Sequence, residues 1–356
     1  MDAFFAASLM GHPAWQWLVF AAVVGVLLVL DLGLFNRKDH AIGVRESLKM
    51  SAFYIFIALA FGGWVWWQMG STAAIEYTTG YLIEKSLSMD NVFVIAMLFG
   101  YFAIPREYQH RVLFWGVLGA IVMRAVMIGA GAALIERFGW IMWFFGAFLI
   151  FTGIKMWFGA EHEPDMAKNK LIGWLRRHLR VTEKLHGNHF FTRQPPKGGG
   201  KPVLWVTPLF LAVVVIEVVD LVFAVDSVPA IFAITLDPFL VYTSNIFAIL
   251  GLRSLYFALA AMIHRFDYLK YALALVLVFV GGKILAAEFI GHIPPLLSLG
   301  ITLAILAGGV VVSLTKTRHL AVDDEDSARA ISAGGELLAR QAAEAQVATP
   351  RPASSS

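Results

Sequence analysis

Cysteine is absent from all 356 residues. That removes disulfides, thiolate metal sites and cysteine nucleophiles together, so a bound metal must use oxygen or imidazole ligands. Charge is scarce too. Asp, Glu, Lys and Arg make up 15% of the chain, where soluble domains carry about 25%. Hydrophobic residues reach 59% and mean hydropathy is +0.71, a membrane composition. No HExxH, no GxSxG and no Ser–Lys dyad is present, which argues against an intramembrane hydrolase. Neither a nucleotide-binding motif nor a basic and aromatic pattern for nucleic acid is found. The opening MDAFFAASLMGHPAWQW has no positive region ahead of its apolar run, so a cleaved signal peptide is not expected.

What the chain has instead is long apolar runs. A span needs about 20 mainly apolar residues, and nine stretches qualify: 14–35, 50–70, 80–103, 111–134, 139–159, 203–234, 239–261, 268–287 and 294–315. The sixth is overlong and holds Pro229, so a broken or partly re-entrant helix is expected there. Lysine and arginine cluster in alternate connections. Arg37, Lys38, Arg45 and Lys49 follow the first span, the 160–202 connection is rich in both, and Lys316 and Arg318 follow the ninth. Connections 71–79, 235–238 and 288–293 hold none. The positive-inside rule then sets the amino terminus outside and the carboxyl terminus in the cytoplasm.

Two stretches echo each other. EKSLSMDNVF, VMRAV, ERFGW and FTGIKMWF recur as DLVFAVDSVP, GLRSL, HRFDY and FVGGKILA. Glu84 precedes Asp90 as Asp220 precedes Asp226, Arg124 answers Arg253, and Lys155 answers Lys283. Each copy covers three spans. Three is odd, so the second copy enters from the other side, giving an inverted repeat with a site expected where the copies meet. The fold expected is an all-α polytopic membrane protein with about nine transmembrane helices and an inverted repeat of two three-helix units. Its parts are an N-terminal two-helix segment (1–79), the first repeat (80–159), a basic cytoplasmic connection (160–202), the second repeat (203–287), a last helix (288–318) and a disordered tail (319–356). Within the connection, LIGWLRRHLRV is amphipathic and expected on the membrane surface.

The informative residues are carboxylates within the spans. An ionised carboxylate near a bilayer centre costs roughly 2.5–3.5 kcal/mol on lenient scales, so such groups line wet cavities, pair with cations or relay protons. In EKSLSMDN, a helix sets Glu84, Ser88 and Asn91 on one face and Asp90 about a third of a turn away. Either the helix unwinds there or Asp90 meets ligands from another span. Glu84 and Lys85 read equally well as interfacial, with Lys85 snorkelling outward. In EVVDLVFAVDSVPA, Glu217 and Asp220 share a face, and Asp226 lies nearly opposite. Pro229 frees the carbonyl of Val225, and oxygens beside Asp226 and Ser227 would suit a hard cation such as Mg²⁺ or Mn²⁺, which take about six oxygen ligands. The bland alternative is a set of hydrogen-bonded structural acids. Arg124, Arg253, Lys155 and Lys283 read first as partners of surplus carboxylates. Asp31 is open between gating and interfacial placement, and Ser244 and Asn245 could add neutral oxygens. Glu161, His162, Glu163, Asp165, His186 and His189 read as solvated loop residues rather than a metal site.

EKSLSMDNVFV and VIEVVDLVFAVDSVPAIFAIT, with VLDLGLFNRKDH and NIFAILGLRSLYF, resemble the TerC family of integral membrane proteins over about residues 25–315. The resemblance implies a superfamily of exporters with inverted three-span repeats. For its Alx-like members it implies Mn²⁺ efflux across the bacterial cytoplasmic membrane. Tellurite resistance named the family, but an oxyanion suits an acidic path poorly. By position, Asp90, Asn91, Glu217, Asp220, Asp226 and Ser227 match the family's intramembrane polar residues, and Glu84 joins them as a possible seventh ligand. The expectation is a Mn²⁺ exporter with no resident cofactor, lipids around it, a homo-oligomer allowed, and protons exchanging for metal at the carboxylates. Rival readings are a Ca²⁺ or Mg²⁺ carrier and a partner protein that supplies metal to secreted enzymes.

Overall fold

The computed structural model describes residues 8–33, 44–158, 170–182, 184–195, 201–259, 268–291 and 293–316. A two-stranded turn, β1 (Ser8–Leu9) with β2 (His12–Pro13), leads into α1 (Ala14–Gly33), α2 (Val44–Met69), α3 (Ser71–Tyr101), α4 (Arg106–Arg137) and α5 (Ile141–Phe158). Next come α6 (Lys170–His178) and the antiparallel hairpin β3 (Phe191–Gln194) and β4 (Val203–Val206). The chain ends in α7 (Pro208–Phe232), α8 (Pro238–Leu250), α9 (Leu252–Leu259), α10 (Leu269–Ile290) and α11 (Pro295–Lys316).

Backbone polar groups in hydrocarbon must be satisfied without water, and a helix does so within its own segment. Among the described residues, eight helices are long and apolar enough to cross a membrane, with α8 and α9 together making one. Large apolar side chains including Trp67, Val126, Phe144, Phe151, Val222 and Val311 face outward, as lipid contact requires. The ninth expected span corresponds to α3, which carries Glu76, Glu84, Lys85 and Asp90 and is not among the eight. It is held by its neighbours: α3 packs on α2, α7, α8, α9 and α11. This helix, with its four charged residues, thus packs among these others, where helices replace lipid.

Several expectations are corrected. The boundary at 79–80 falls inside α3, which follows directly on α2 after Gly70, whose φ of 90° is open to glycine at little cost. The helix does not unwind at Glu84–Asn91; the hydroxyls of Ser86 and Ser88 donate to the carbonyls of Leu82 and Glu84, both at 2.7 Å, and stay satisfied within the turn. The overlong 203–234 stretch is neither broken nor re-entrant. Its first four residues are β4, Thr207 and Pro208 start α7, and α7 continues through Pro229 to Phe232. The seventh span is divided at Gly251. The amphipathic α6 buries Ile172 and Leu175 in the same apolar cluster as Leu209 and Leu211 of α7, so its apolar face meets protein rather than lipid. Arg37, Lys38, residues 160–169, residues 264–267 of the HRFDY motif and the 319–356 tail lie outside the described residues.

The two repeat segments interlock. α3 packs on α8 and α4 on α7, while α5 packs closely on α10. At that last crossing the backbones nearly touch. A Cβ on Gly153 would fall 2.7 Å from the Ala274 carbonyl, and one on Gly281 would fall 2.6 Å from the Gly146 carbonyl. Gly153 and Gly281 each stand two residues before the paired lysines Lys155 and Lys283, so the two contacts exchange when the copies are exchanged. Small residues at such crossings let helices gain packing without a hydrophobic driving force. Gly281→Ala or Gly153→Ala should therefore lower stability by about 1–3 kcal/mol. Gly282→Ala, with open space at its Cβ, should be nearly neutral. Thermal unfolding in detergent checks both.

Candidate intramembrane ion site

Two helices align polar residues at a seven-residue spacing. At 100° per residue, seven residues return to within about 20° of the start. Glu84 and Asn91 therefore share a stripe on α3, as Asp220 and Ser227 do on α7. Both stripes face Arg124, the only charged residue between Arg111 and Glu136 on α4.

Arg124 is 1% exposed and uses its whole guanidinium. Nε donates to Asp220 Oδ2 at 3.3 Å and Nη2 to Asp220 Oδ1 at 3.0 Å, a bidentate pair. Nη1 donates to Glu84 Oε1, Ser227 Oγ (3.2 Å) and Asn245 Oδ1 (3.0 Å) of α8. Asn91 Nδ2 adds a bond to Asp220 Oδ1 at 3.2 Å. Four helices from both repeat segments thus meet in one buried cluster of two carboxylates, two amides, a hydroxyl and a guanidinium. Asn91 Oδ1 is buried with no hydrogen-bond partner among the described residues. Asn91 and Asp220 also border a cavity of about 20 Å³, walled by Ile95, Leu113, Gly116, Val117 and other apolar groups. One water-sized particle needs about 10–15 Å³ on this measure, so the space admits one particle of that size.

The expected ligand set is thereby divided. Glu84, Asn91, Asp220 and Ser227 come together, with Arg124 between the carboxylates. Glu217 does not join them: it lies against Gly119 of α4 at the edge of a separate cavity of about 610 Å³ lined by Trp115, Val122, Phe190, Phe191 and Phe210. Asp226 accepts from Thr152 Oγ1 of α5 at 3.2 Å, on the far side of α7. The departure of Asp226 follows from α7 remaining helical, since it sits about 120° around the helix from Asp220; Glu217 shares a face with Asp220 but its carboxyl is turned onto Gly119. Asp90 lies in α3 one residue before Asn91; its side chain is outside the description. No group of three or more His, Asp or Glu side chains converges among the described residues.

Other sequence readings resolve as follows. Glu84 is buried in an ion pair, and Lys85 turns inward: its Nζ donates to the Ala248 carbonyl at 3.3 Å. Asp31 is buried, paired with Arg253 of α9, and accepts from Tyr54 Oη at 3.1 Å. Lys283 reaches Ser298 Oγ at 3.5 Å. Ser244 bonds its own helix, while Asn245 joins the cluster. His186 Nδ1 meets the Lys184 carbonyl at 3.0 Å, and its other ring nitrogen meets Gln194. Arg124 and Arg253 pair with carboxylates as their sequence positions suggest; that Arg124 also gathers three other helices is not legible in the sequence, although a lone base thirteen residues into an apolar run is its signal.

A family model described as "Integral membrane protein TerC family" matches residues 69–321. The chain belongs to the TerC family. Among its relatives, "Uncharacterized membrane protein STKORF319" of Myxococcus xanthus is 46% identical over 317 residues, covering 89% of this chain and 97% of the relative. "Putative membrane-bound redox modulator Alx" of Escherichia coli strain K12 is 47% identical over 306 residues, covering 83% and 93%. An "Uncharacterized membrane protein" of Rickettsia bellii is 45% identical over 301 residues, covering 85% and 97%. No solved structure matches. The TerC match spans α3 to α11 and so includes the whole Arg124 cluster.

Breaking a buried ion pair strands one charge and costs about 3–5 kcal/mol. Asp31→Asn should destabilise the protein by about that much through Arg253. Tyr54→Phe, which removes one hydrogen bond to Asp31, should cost about 1 kcal/mol. Parallel unfolding of the two variants in detergent checks the ranking.

Proposed function

We propose that this TerC-family membrane protein exports Mn²⁺ from the cytoplasm across the bacterial inner membrane, amino terminus outside, by alternating access with protons returning in exchange. The observation that carries this is the buried cluster where both repeat segments meet, with the small cavity bordered by Asp220 and Asn91 beside it. Carboxylate, amide and hydroxyl oxygens suit a hard divalent ion, and sulfur is absent from this donor set. Protons and metal compete for the same carboxylate oxygens, which supplies the coupling. The exchange-related contacts of Gly153 with Ala274 and of Gly281 with Gly146 support an inverted repeat. Two halves related in that way rock against each other about a site at their interface.

In this reading, Asp220, Asn91 and Glu84 hold the ion, and Ser227 and Asn245 complete its polar wall. Asp226, bonded to Thr152, and Glu217, turned onto Gly119, lie outside the ion's first contacts. The redox role in the name of the Escherichia coli relative cannot run through thiols here, because this chain has none. A transporter fits the buried ion-sized space better than an enzyme does.

In cells lacking their own manganese exporters, the wild-type chain should lower cellular manganese and restore growth at high Mn²⁺. Asp220→Asn and Asn91→Ala should lose at least tenfold of that export at equal expression. Asp226→Asn should retain most of it. Unchanged manganese with the wild type, or full export by Asp220→Asn, overturns the proposal.

A further inference from the structure

The cluster leaves two carboxylates of α7 unused: Asp226, which accepts from Thr152 Oγ1, and Glu217, which lies on the α4 side. Glu217 stands a single turn before Asp220, about 4.5 Å along the axis at 1.5 Å per residue. Its carboxyl lies against Gly119, where any Cβ would overlap it, and Gly119 is five residues before Arg124 on the same helix. Glu217 Oε2 is buried without a hydrogen-bond partner among the described residues. The surrounding wall is apolar: Leu118, Val122, Met123, Phe210 and Val213.

The guanidinium of Arg124 occupies the space between Glu84 and Asp220 that a divalent ion would need in order to touch both. A cation bound there must displace it. The displaced guanidinium then needs a counter-charge, because an unpaired charge in an apolar wall is strongly unfavourable. Glu217, three residues from Asp220 on α7 and with its Oε2 unpartnered among the described residues, offers one. We infer that Arg124 is a tethered cation competing with the metal for Glu84 and Asp220, and that Glu217 receives its guanidinium when the metal is bound. This rests on the cluster being the Mn²⁺ site. Charge balance then favours a divalent over a monovalent cargo: two positive charges replace the guanidinium between two carboxylates, and Arg124 pairs with a third. Return of Arg124 to Asp220 helps expel the ion, and Gly119 keeps room for the Glu217 carboxyl.

The test is Mn²⁺ binding to the full-length protein in lipid nanodiscs, read from the paramagnetic resonance signal of free Mn²⁺. Arg124→Gln should bind Mn²⁺ at least tenfold more tightly than the wild type. Glu217→Gln should bind it about tenfold more weakly, because the displaced guanidinium has lost its acceptor. In the Arg124→Gln background, Glu217→Gln should change nothing. Equal weakening by Glu217→Gln in both backgrounds would make Glu217 a direct ligand and overturn the inference, as would Arg124→Gln binding no more tightly. Should Arg124→Gln fail to fold, Arg124→Lys keeps the charge but loses the bidentate hold on Asp220. It should still bind Mn²⁺ more tightly than the wild type, and weaker binding would count against competition. No saturable binding in the wild type would overturn the site reading itself, and the inference with it.

Discussion

A guanidinium taken into the middle of a membrane-spanning bundle must bring counter-charges with it, and Arg124 brings two. Its bonds to Asp220, Glu84, Ser227 and Asn245 tie four helices at one point. That tie explains why α3, too polar to enter lipid by its own composition, packs among other helices. The other buried pair, Asp31 with Arg253, binds α1 to α9 in the same manner and connects the N-terminal helices to the second repeat segment. Apolar packing fills the remaining space, as where Phe20, Phe61, Phe239 and Phe247 join α1, α2 and α8. Lipid supplies little hydrophobic drive between helices. Specific polar ties and close glycine crossings therefore decide which helix meets which.

Much of this was legible from residue patterns. Apolar runs marked the long helices, since a helix satisfies its backbone within its own segment where water is absent. Carboxylates within those runs marked the polar centre. The seven-residue spacings of Glu84 with Asn91 and of Asp220 with Ser227 were also in plain view, yet they gain meaning only when the helices stay unbroken. Pro229 suggested a distortion that would gather Asp226 into the site. It takes the helical donor from the Val225 carbonyl, yet α7 runs on for three more residues to Phe232. Asp226 consequently faces Thr152 rather than Asp220.

What pattern reading could not supply was the partner of each charge. Surplus carboxylates suggested an ion, and two lone arginines suggested structural pairing. Only the packing of α4 against α7 and α3 brings these together, with the guanidinium in the space a cation would use. That juxtaposition makes the cluster a neutralised site rather than an open acidic cage. It also separates the roles of residues that the motif places side by side: Asp220 holds the centre, Glu217 waits one turn away, and Asp226 anchors α5.

The central claim is that this chain alone moves manganese through that centre. The most direct test is uptake of radioactive Mn²⁺ into sealed vesicles reconstituted with the purified protein, with an outwardly directed proton gradient imposed. The account predicts saturable uptake above that of protein-free vesicles, accelerated by the gradient and abolished by Asp220→Asn. Uptake equal to that of protein-free vesicles, with the protein folded and inserted, would contradict it.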